Sequence, residues 1–335
     1  MKHVIFGGDG FVGRHLAPML MERGEEVVIA DIVRSPLPHY ARCRFVQLDV
    51  TERADFDALD IAPDDAVYNL SAKMLSPLQV RSKRRAFFWP VNFHGTENIL
   101  AHMAKCGATQ LVHFTTDMVY GHTKTVPMFE DHPVAPLGEY GESKLATEHL
   151  AAEWRERGFD ITLFRPRLII GPGRLGILSK LFKLVDMNLP VPMIGSGRNP
   201  YQFISVFDCA DACVKAWEAG FPNEAYNLGS LNPPSVRKLL GRLVEEANSK
   251  SILLPTPGWA VKRTLDLFDL ANMPIMDPEQ YLIADEECLL DVSKGERELG
   301  WVPQHSDDDM LVAAYREYRA NLEGPQPAAA MEPAE

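Results

Sequence analysis

Tyr140 and Lys144 are the residues whose types and spacing point most directly to chemistry in this 335-residue chain. They lie within Tyr140-Gly141-Glu142-Ser143-Lys144, four apart, and on a helix they share one face. An ammonium beside a phenol favours the phenolate, so a tyrosine with an ordinary pKa of about 10 becomes able to exchange a proton near neutrality. Alone, such a pair is more often an incidental surface contact, so its meaning rests on what surrounds it. A second group stands in Thr115-Thr116-Asp117-Met118-Val119-Tyr120-Gly121, just after the apolar run Leu111-Val112-His113-Phe114. A hydroxyl at the C-terminal end of a parallel strand points into the ligand crevice, so Thr116 is placed to hydrogen-bond a substrate oxygen. A plain strand-end threonine is the alternative.

The third group is Gly7-Gly8-Asp9-Gly10-Phe11-Val12-Gly13, with Gly7, Gly10 and Gly13 at G-x-x-G-x-x-G spacing. It sits between a strand pattern, Val4-Ile5-Phe6, and a helical one, Val12 to Arg23. Glycine permits the tight turn, lets backbone approach a pyrophosphate and lets the helix pack closely on the strand. The helix start then offers N–H groups and a positive dipole end to phosphates. Asp31 ends the next strand, Val27-Val28-Ile29-Ala30, where a carboxylate accepts hydrogen bonds from an adenosine ribose. It repels a 2′-phosphate, which favours NAD over NADP; Arg34, close by, softens that preference. A turn-forming aspartate is the alternative for Asp31.

The elements that must hold these groups alternate. Strand patterns at Val4-Ile5-Phe6, Val27–Ala30, Phe45–Leu48, Ala66–Leu70, Leu111–Phe114 and Ile161–Phe164 are interleaved with helical patterns at Val12–Arg23, Val91–Lys105 and Tyr140–Arg157, the last three closed by Gly24, Gly107 and Gly158. The pattern predicts an α/β fold with a Rossmann-type, doubly wound parallel sheet and right-handed crossovers. After Gly171-Pro172-Gly173 the chain becomes proline-rich and irregular, which predicts a smaller C-terminal substrate-binding lobe. The expected boundaries are residues 1–170 for the dinucleotide-binding domain, 171–323 for the lobe and 324–335 for a disordered tail. Segments 201–207 and 224–230 are expected to return to the first domain. The apolar stretch from Ile252 through Trp259 to Phe268 reads as a lobe helix packed on the core in preference to the lining of a greasy pocket.

Composition excludes several classes. A net charge of −12 argues against nucleic-acid binding. The basic run Arg81-Ser82-Lys83-Arg84-Arg85 reads as a solvated face rather than a phosphate site. Five scattered cysteines imply a reduced, cytoplasmic protein without a disulfide framework. Cys209 and Cys213 read as small core residues rather than zinc ligands, and no metal site is expected. The N-terminus lacks a signal-peptide arrangement, and no apolar run reaches membrane-spanning length.

Together these motifs resemble the extended short-chain dehydrogenase/reductase superfamily, the NAD-dependent epimerase/dehydratase family. The similarity continues along the chain in Asp49-Val50, Asn69-Leu70-Ser71-Ala72, Val91-Asn92-Phe93-His94-Gly95-Thr96-Glu97-Asn98, Phe164-Arg165-Pro166 with Ile170-Gly171-Pro172-Gly173, Phe203-Ile204-Ser205-Val206 with Asp208, Tyr226-Asn227-Leu228-Gly229, Leu290-Asp291-Val292-Ser293-Lys294 and Leu299-Gly300-Trp301. The resemblance implies that Tyr140 acts as general acid or base, that Lys144 lowers its pKa and holds the nicotinamide ribose, that Thr116 orients the substrate hydroxyl, and that hydride passes between substrate carbon and nicotinamide. It implies cofactor contacts from Gly7, Gly10, Phe11, Val12, Gly13, Asp31, Asp49, Val50, Leu70, Ser71, Ala72, Asn92, Thr115 and Pro166 as well as from Tyr140 and Lys144. It also implies a homodimer paired through the helices near Asn92–Lys105 and Tyr140–Arg157.

Three departures bear on the substrate. Met118 stands where the family's sugar-nucleotide dehydratases carry a glutamate after Thr-Asp, which argues against a 4,6-dehydratase. Leu168 replaces an asparagine common in sugar-nucleotide epimerases, and Tyr201 replaces a phosphate-binding arginine. Arg167, Arg174 and Arg198 are candidates to take over the diphosphate, with ordinary surface charge as the alternative; Asp117, Met118 and Tyr201 complete the expected substrate contacts. The sequence therefore predicts an NAD-dependent epimerase or oxidoreductase acting on a secondary alcohol or ketone of a sugar nucleotide. A 3β-hydroxysteroid-dehydrogenase-like enzyme of an apolar alcohol is the alternative, and a non-catalytic NAD-binding sensor a remoter one.

Overall fold

The computed structural model describes residues 1–173, 176 and 178–322. Arg174 and the 324–335 tail lie outside the described residues.

All six strand patterns form strands: β1 (Lys2–Phe6), β2 (Glu26–Asp31), β3 (Arg44–Gln47), β4 (Ala66–Asn69), β5 (Gln110–Phe114) and β6 (Asp160–Pro166). Five further strands are β7 (Leu168–Ile170), β8 (Val191–Ile194), β9 (Phe203–Ser205), β10 (Ala225–Leu228) and β11 (Leu253–Thr256). The main sheet has seven parallel strands in the order β10-β6-β5-β4-β1-β2-β3. Chain order reverses between β1 and β4, and the loops leaving those two strands diverge to open a crevice at their C-terminal ends. This is the doubly wound Rossmann arrangement.

The helices are α1 (Gly13–Glu22), α2 (Arg84–Trp89), α3 (Gly95–Cys106), α4 (Glu139–Arg155), α5 (Leu178–Asp186), α6 (Val206–Glu218), α7 (Val236–Glu246), α8 (Gly258–Leu270), α9 (Pro278–Tyr281), α10 (Ser293–Leu299) and α11 (Asp307–Leu322). A π-helical turn, Pro90–His94, joins α2 to α3. Period-two alternation along the strands sends Ile5 and Ile29 into one core, under α1 and α6, and Val4, Phe6, Val28 and Ala30 into the other, under α3 and α4. Cys209 and Cys213 are fully buried in the first core.

A third core, with Phe182, Leu239, Leu243 and Leu311, unites α5, α7 and α11. Of the late segments, β10 pairs with β6 in the main sheet, whereas β9 pairs with β7 in a separate two-stranded sheet. The chain nevertheless returns to the main sheet after β9, because α6 packs beside α1. The late apolar segment corrects the expectation of a core-packed helix. In α8 only Asp269 is buried, while Trp259, Leu267 and Leu270 are exposed. Polar ties hold α8 in place of apolar packing: Tyr281 donates to Asp266 at 2.7 Å, and Arg84 pairs with Asp269.

Candidate active site

The crevice between the β1 and β4 loops deepens into a cleft of about 850 Å³. Its first wall is the glycine turn. Gly7 has φ +72°, and a side chain there would stand 2.6 Å from the backbone nitrogen of Ser71, so the two loops approach only because Gly7 has none. A Cβ at Gly10 would lie 2.9 Å from the Gly7 carbonyl oxygen. Gly13 is not part of the lining; a Cβ there would meet the Gly8 carbonyl oxygen at 2.5 Å, so it allows α1 to sit tight behind the turn. No side chain caps α1 at Val12, so the positive end of that helix is left to the cleft.

Phe11, Val12, Asp31, Asp49, Val50, Leu70, Ser71 and Ala72 also line this half. Asp31 accepts from the Asp9 and Val33 amides at 2.9 and 3.2 Å, and burial raises its pKa. Asp49 accepts from both the amide and the hydroxyl of Thr51. Arg34 stacks on the Tyr40 and Phe45 rings, outside the lining. Arg14, immediately after Gly13, does line it, and its guanidinium contacts the Asp9 carbonyl and the Ser35 hydroxyl. Asp9 is a strut beneath the turn: buried, it accepts from Tyr40, Ser35 and Arg14. Burial raises its pKa, but those donors outweigh it and leave the carboxyl below its ordinary value.

The opposite wall joins the end of β5 to α4. Thr115, Thr116, Asp117, Met118, Tyr140, Lys144, Pro166 and Arg167 all face the cleft. Lys144 is 2% exposed and donates to the Phe114 carbonyl at 2.9 Å; burial depresses its pKa to about 8. The Tyr140 ring packs on Phe88, and its hydroxyl points to the Met74 sulfur at 3.4 Å. Thr116 accepts from the Met118 amide at 3.2 Å and caps a short turn, Asp117–Val119. Thr115 donates to Glu148, a carboxylate gripped at both oxygens by Arg165.

Besides Gly13, three expected contacts lie off the lining, and a fourth residue, Arg167, is engaged within it. Asn92 is fully buried and off the lining. Its side chain exchanges hydrogen bonds with the backbone of Lys73 and donates to Ser143, so it ties the 73–78 loop to α4. Arg198 is exposed on the turn between Gly195 and Pro200, outside the lining, where Gly195 and Gly197 both take positive φ. Tyr201 lies behind the wall with its ring under Arg167. Arg167 lines the cleft but is already paired with the buried carboxylate of Asp117. Burial lowers the Arg167 pKa, yet Asp117 and its surroundings outweigh that and hold it above the ordinary value.

Apart from Leu168, already marked as a departure from the epimerase pattern, the sequence held no sign of the remaining lining. Met74, Leu75, Leu78, Leu168, Ile275 and Met276 make the far half of the cleft apolar, joined by Lys180 and Gln280. Arg14 alone among the unexpected residues was marked by position, one step beyond Gly13.

The profile of the NAD dependent epimerase/dehydratase family matches residues 3–229. The chain belongs to that family. It is therefore an NAD-dependent enzyme of the extended short-chain dehydrogenase/reductase type. The side-chain-free turn at Gly7 and Gly10, the uncapped start of α1 and the carboxylate of Asp31 suit a dinucleotide pyrophosphate and ribose. Among relatives, the chain is 28% identical to the uncharacterized protein y4nG of Sinorhizobium fredii, over 95% of this chain and 78% of that one. It is 27% identical to the UDP-glucose 4-epimerase of Streptococcus mutans, covering 94% and 95% of the two chains. The solved UDP-glucuronic acid 4-epimerase from Bacillus cereus, in complex with UDP-glucuronic acid and NAD, superposes with a TM-score of 0.74 at 22% identity, over 96% of this chain and all (100%) of that one.

Proposed function

We propose that this enzyme oxidises a secondary alcohol, or reduces the matching ketone, on a sugar nucleotide, with Tyr140 moving the proton. The observation that carries this reading is the placement of Tyr140 and Lys144 on one wall of the cleft, opposite the glycine turn. When bound, NAD supplies the redox partner for the substrate carbon. Tyr140 exchanges a proton with the substrate oxygen; Lys144, with its ammonium in a dry setting, favours the phenolate and holds the cofactor ribose; Thr116 orients the substrate hydroxyl. Asp31 accepts from the adenosine ribose and selects NAD over NADP. The sugar-nucleotide assignment draws on similarity to the S. mutans epimerase. Dehydration is not part of the proposal, because Asp117 is engaged by Arg167 and Met118 has no proton to transfer.

One observation favours a second reading, oxidation of a bulkier apolar alcohol. The far half of the cleft is largely apolar, and the arginine closest to hand for a diphosphate, Arg167, is committed to Asp117. The two readings separate on the nucleotide released when the purified protein is denatured. An enzyme that reuses its cofactor within each turnover retains it, so near-stoichiometric NAD(H) is expected, together with turnover of UDP-glucose. Protein that emerges empty, binds added NAD and reduces it only with hydroxysteroids or similar alcohols establishes the second reading.

Gly7→Val provides a direct check on the cofactor wall. A branched side chain at φ +72° must collide with Ser71, so the loops part and NAD affinity falls by about 100-fold or more in a binding titration. Unchanged affinity refutes the assignment of the turn.

A further inference from the structure

Helix α4 carries both Tyr140 and Lys144, yet its own sequence supplies no cap. Gly138 occupies the cap position and has no side chain to accept the first amides. The acceptor arrives from the far end of the chain. Glu279, in α9, accepts from the Tyr140 amide through one carboxyl oxygen at 2.9 Å and from the Gly141 amide through the other at 2.8 Å. Its side chain fits there because residues 138 and 141 are both glycine: a Cβ at either would stand 2.8 Å from a Glu279 oxygen. Glu279 is only 2% exposed.

The segment that presents Glu279 also forms part of the cleft. Ile275, Met276 and Gln280 line the apolar half, within a few residues of the carboxylate. Arg84 of α2 fixes the segment from behind, pairing with Asp269 at the end of α8 and with Asp277 at 3.4 Å; Asp277 in turn accepts from the Glu279 amide at 3.0 Å. Phe88, one turn along α2 from Arg84, packs on the Tyr140 ring. Tyr140 is thus held at its backbone by the 269–281 segment and at its ring by the helix to which that segment is anchored.

We infer that Glu279 is a positioning residue: it caps the helix of Tyr140 from the substrate side of the cleft, so that a substrate resting on Ile275, Met276 and Gln280 aligns Tyr140 through the same segment. The inference rests on the proposed role of Tyr140 in proton transfer. Glu279 touches neither the substrate oxygen nor the cofactor; it sets where the Tyr140 hydroxyl stands. Misplacement on the ångström scale at a proton-transfer group lowers turnover without weakening ground-state binding.

The test compares Glu279→Ala, Glu279→Gln and Tyr140→Phe in the full-length protein, with UDP-glucose as substrate probe and NAD present. Glu279→Ala is expected to lower kcat by about tenfold or more with KM and NAD affinity within about threefold of wild type. Glu279→Gln should recover part of the loss, since its amide oxygen still accepts one of the two N–H groups while its NH2 cannot. Hydrogen exchange at the Tyr140 and Gly141 amides should accelerate in Glu279→Ala with no change in the glycine turn. Unchanged kcat in Glu279→Ala, or a loss that follows the unfolded fraction alone and is equal in both variants, overturns the inference while Tyr140→Phe remains inactive. A fully active Tyr140→Phe overturns the proposed function instead. If the wild type does not turn over UDP-glucose, exchange decides: protection of the two amides unaffected by Glu279→Ala overturns the cap, and its loss upholds it.

Discussion

Tyr140→Phe lowers turnover by roughly 100-fold to 10,000-fold, the range that a positioned proton-transfer group contributes. The substitution removes one hydroxyl and leaves the aromatic packing on Phe88 in place. The ring packing is kept, so the stability change should stay within about 1 kcal/mol. NAD affinity should be preserved, because the glycine turn and the β2 carboxylate lie on the other wall. The decisive measurement is kcat at matched NAD occupancy, alongside thermal unfolding. An unaltered kcat removes Tyr140 from the chemistry; a collapse in Tm would show that the hydroxyl is structural.

Lys144→Met has an effect of similar size on activity and raises stability at neutral pH. Lys144 is buried, and burial brings its pKa from 10.5 to about 8. In the native protein it therefore releases its proton earlier than in the unfolded chain. Between pH 8 and 10.5 the unfolded chain binds more protons, so stability rises with pH across that window. Below pH 8 the cost of the buried ammonium is fully present, on the order of 3 kcal/mol. The same charge, after burial, helps keep the neighbouring His113 well below its ordinary pKa. Methionine fills a similar volume without charge but gives up the bond to the Phe114 carbonyl, which offsets about 1 kcal/mol. The cofactor-free Lys144→Met protein should thus be more stable than wild type by roughly 1–3 kcal/mol at pH 7, with the advantage fading towards pH 10.5. Its turnover should fall by about 100-fold or more, since the phenolate loses its cation. Denaturant unfolding at the two pH values checks the first part. Destabilisation at pH 7 would mean that the native site compensates the ammonium far better than its surroundings indicate.

Both variants concern a wall of the cleft that was legible in the linear sequence, and the reason is local. Tyr140 and Lys144 lie within one turn of one helix, so their spacing alone sets their relative placement. The glycine turn is equally local: Gly7, Gly10 and Gly13 are needed where strand, turn and helix must meet without side chains, and each does so here against backbone atoms. The apolar runs likewise announced β1 to β6, because strands buried on both faces have little choice of composition.

Contacts between distant segments carried no such mark. Asn92 was expected at the cofactor, but a neighbouring loop saturates its amide. Arg167 looked available for phosphate until the fold set Asp117 against it. The apolar residues of α8 suggested packing or a pocket, and neither followed, since burial depends on what lies opposite. Residues 275–280 had no motif, yet Ile275, Met276 and Gln280 line the cleft and the segment delivers Glu279 to a helix that begins at Glu139. The sequence by itself determined the strand order's raw material, the turn and the Tyr140–Lys144 face, because each depends on neighbours a few residues apart. The tertiary structure decided which charges are spent on one another, what surface meets the substrate and how Tyr140 is held, because those depend on partners that chain spacing does not encode.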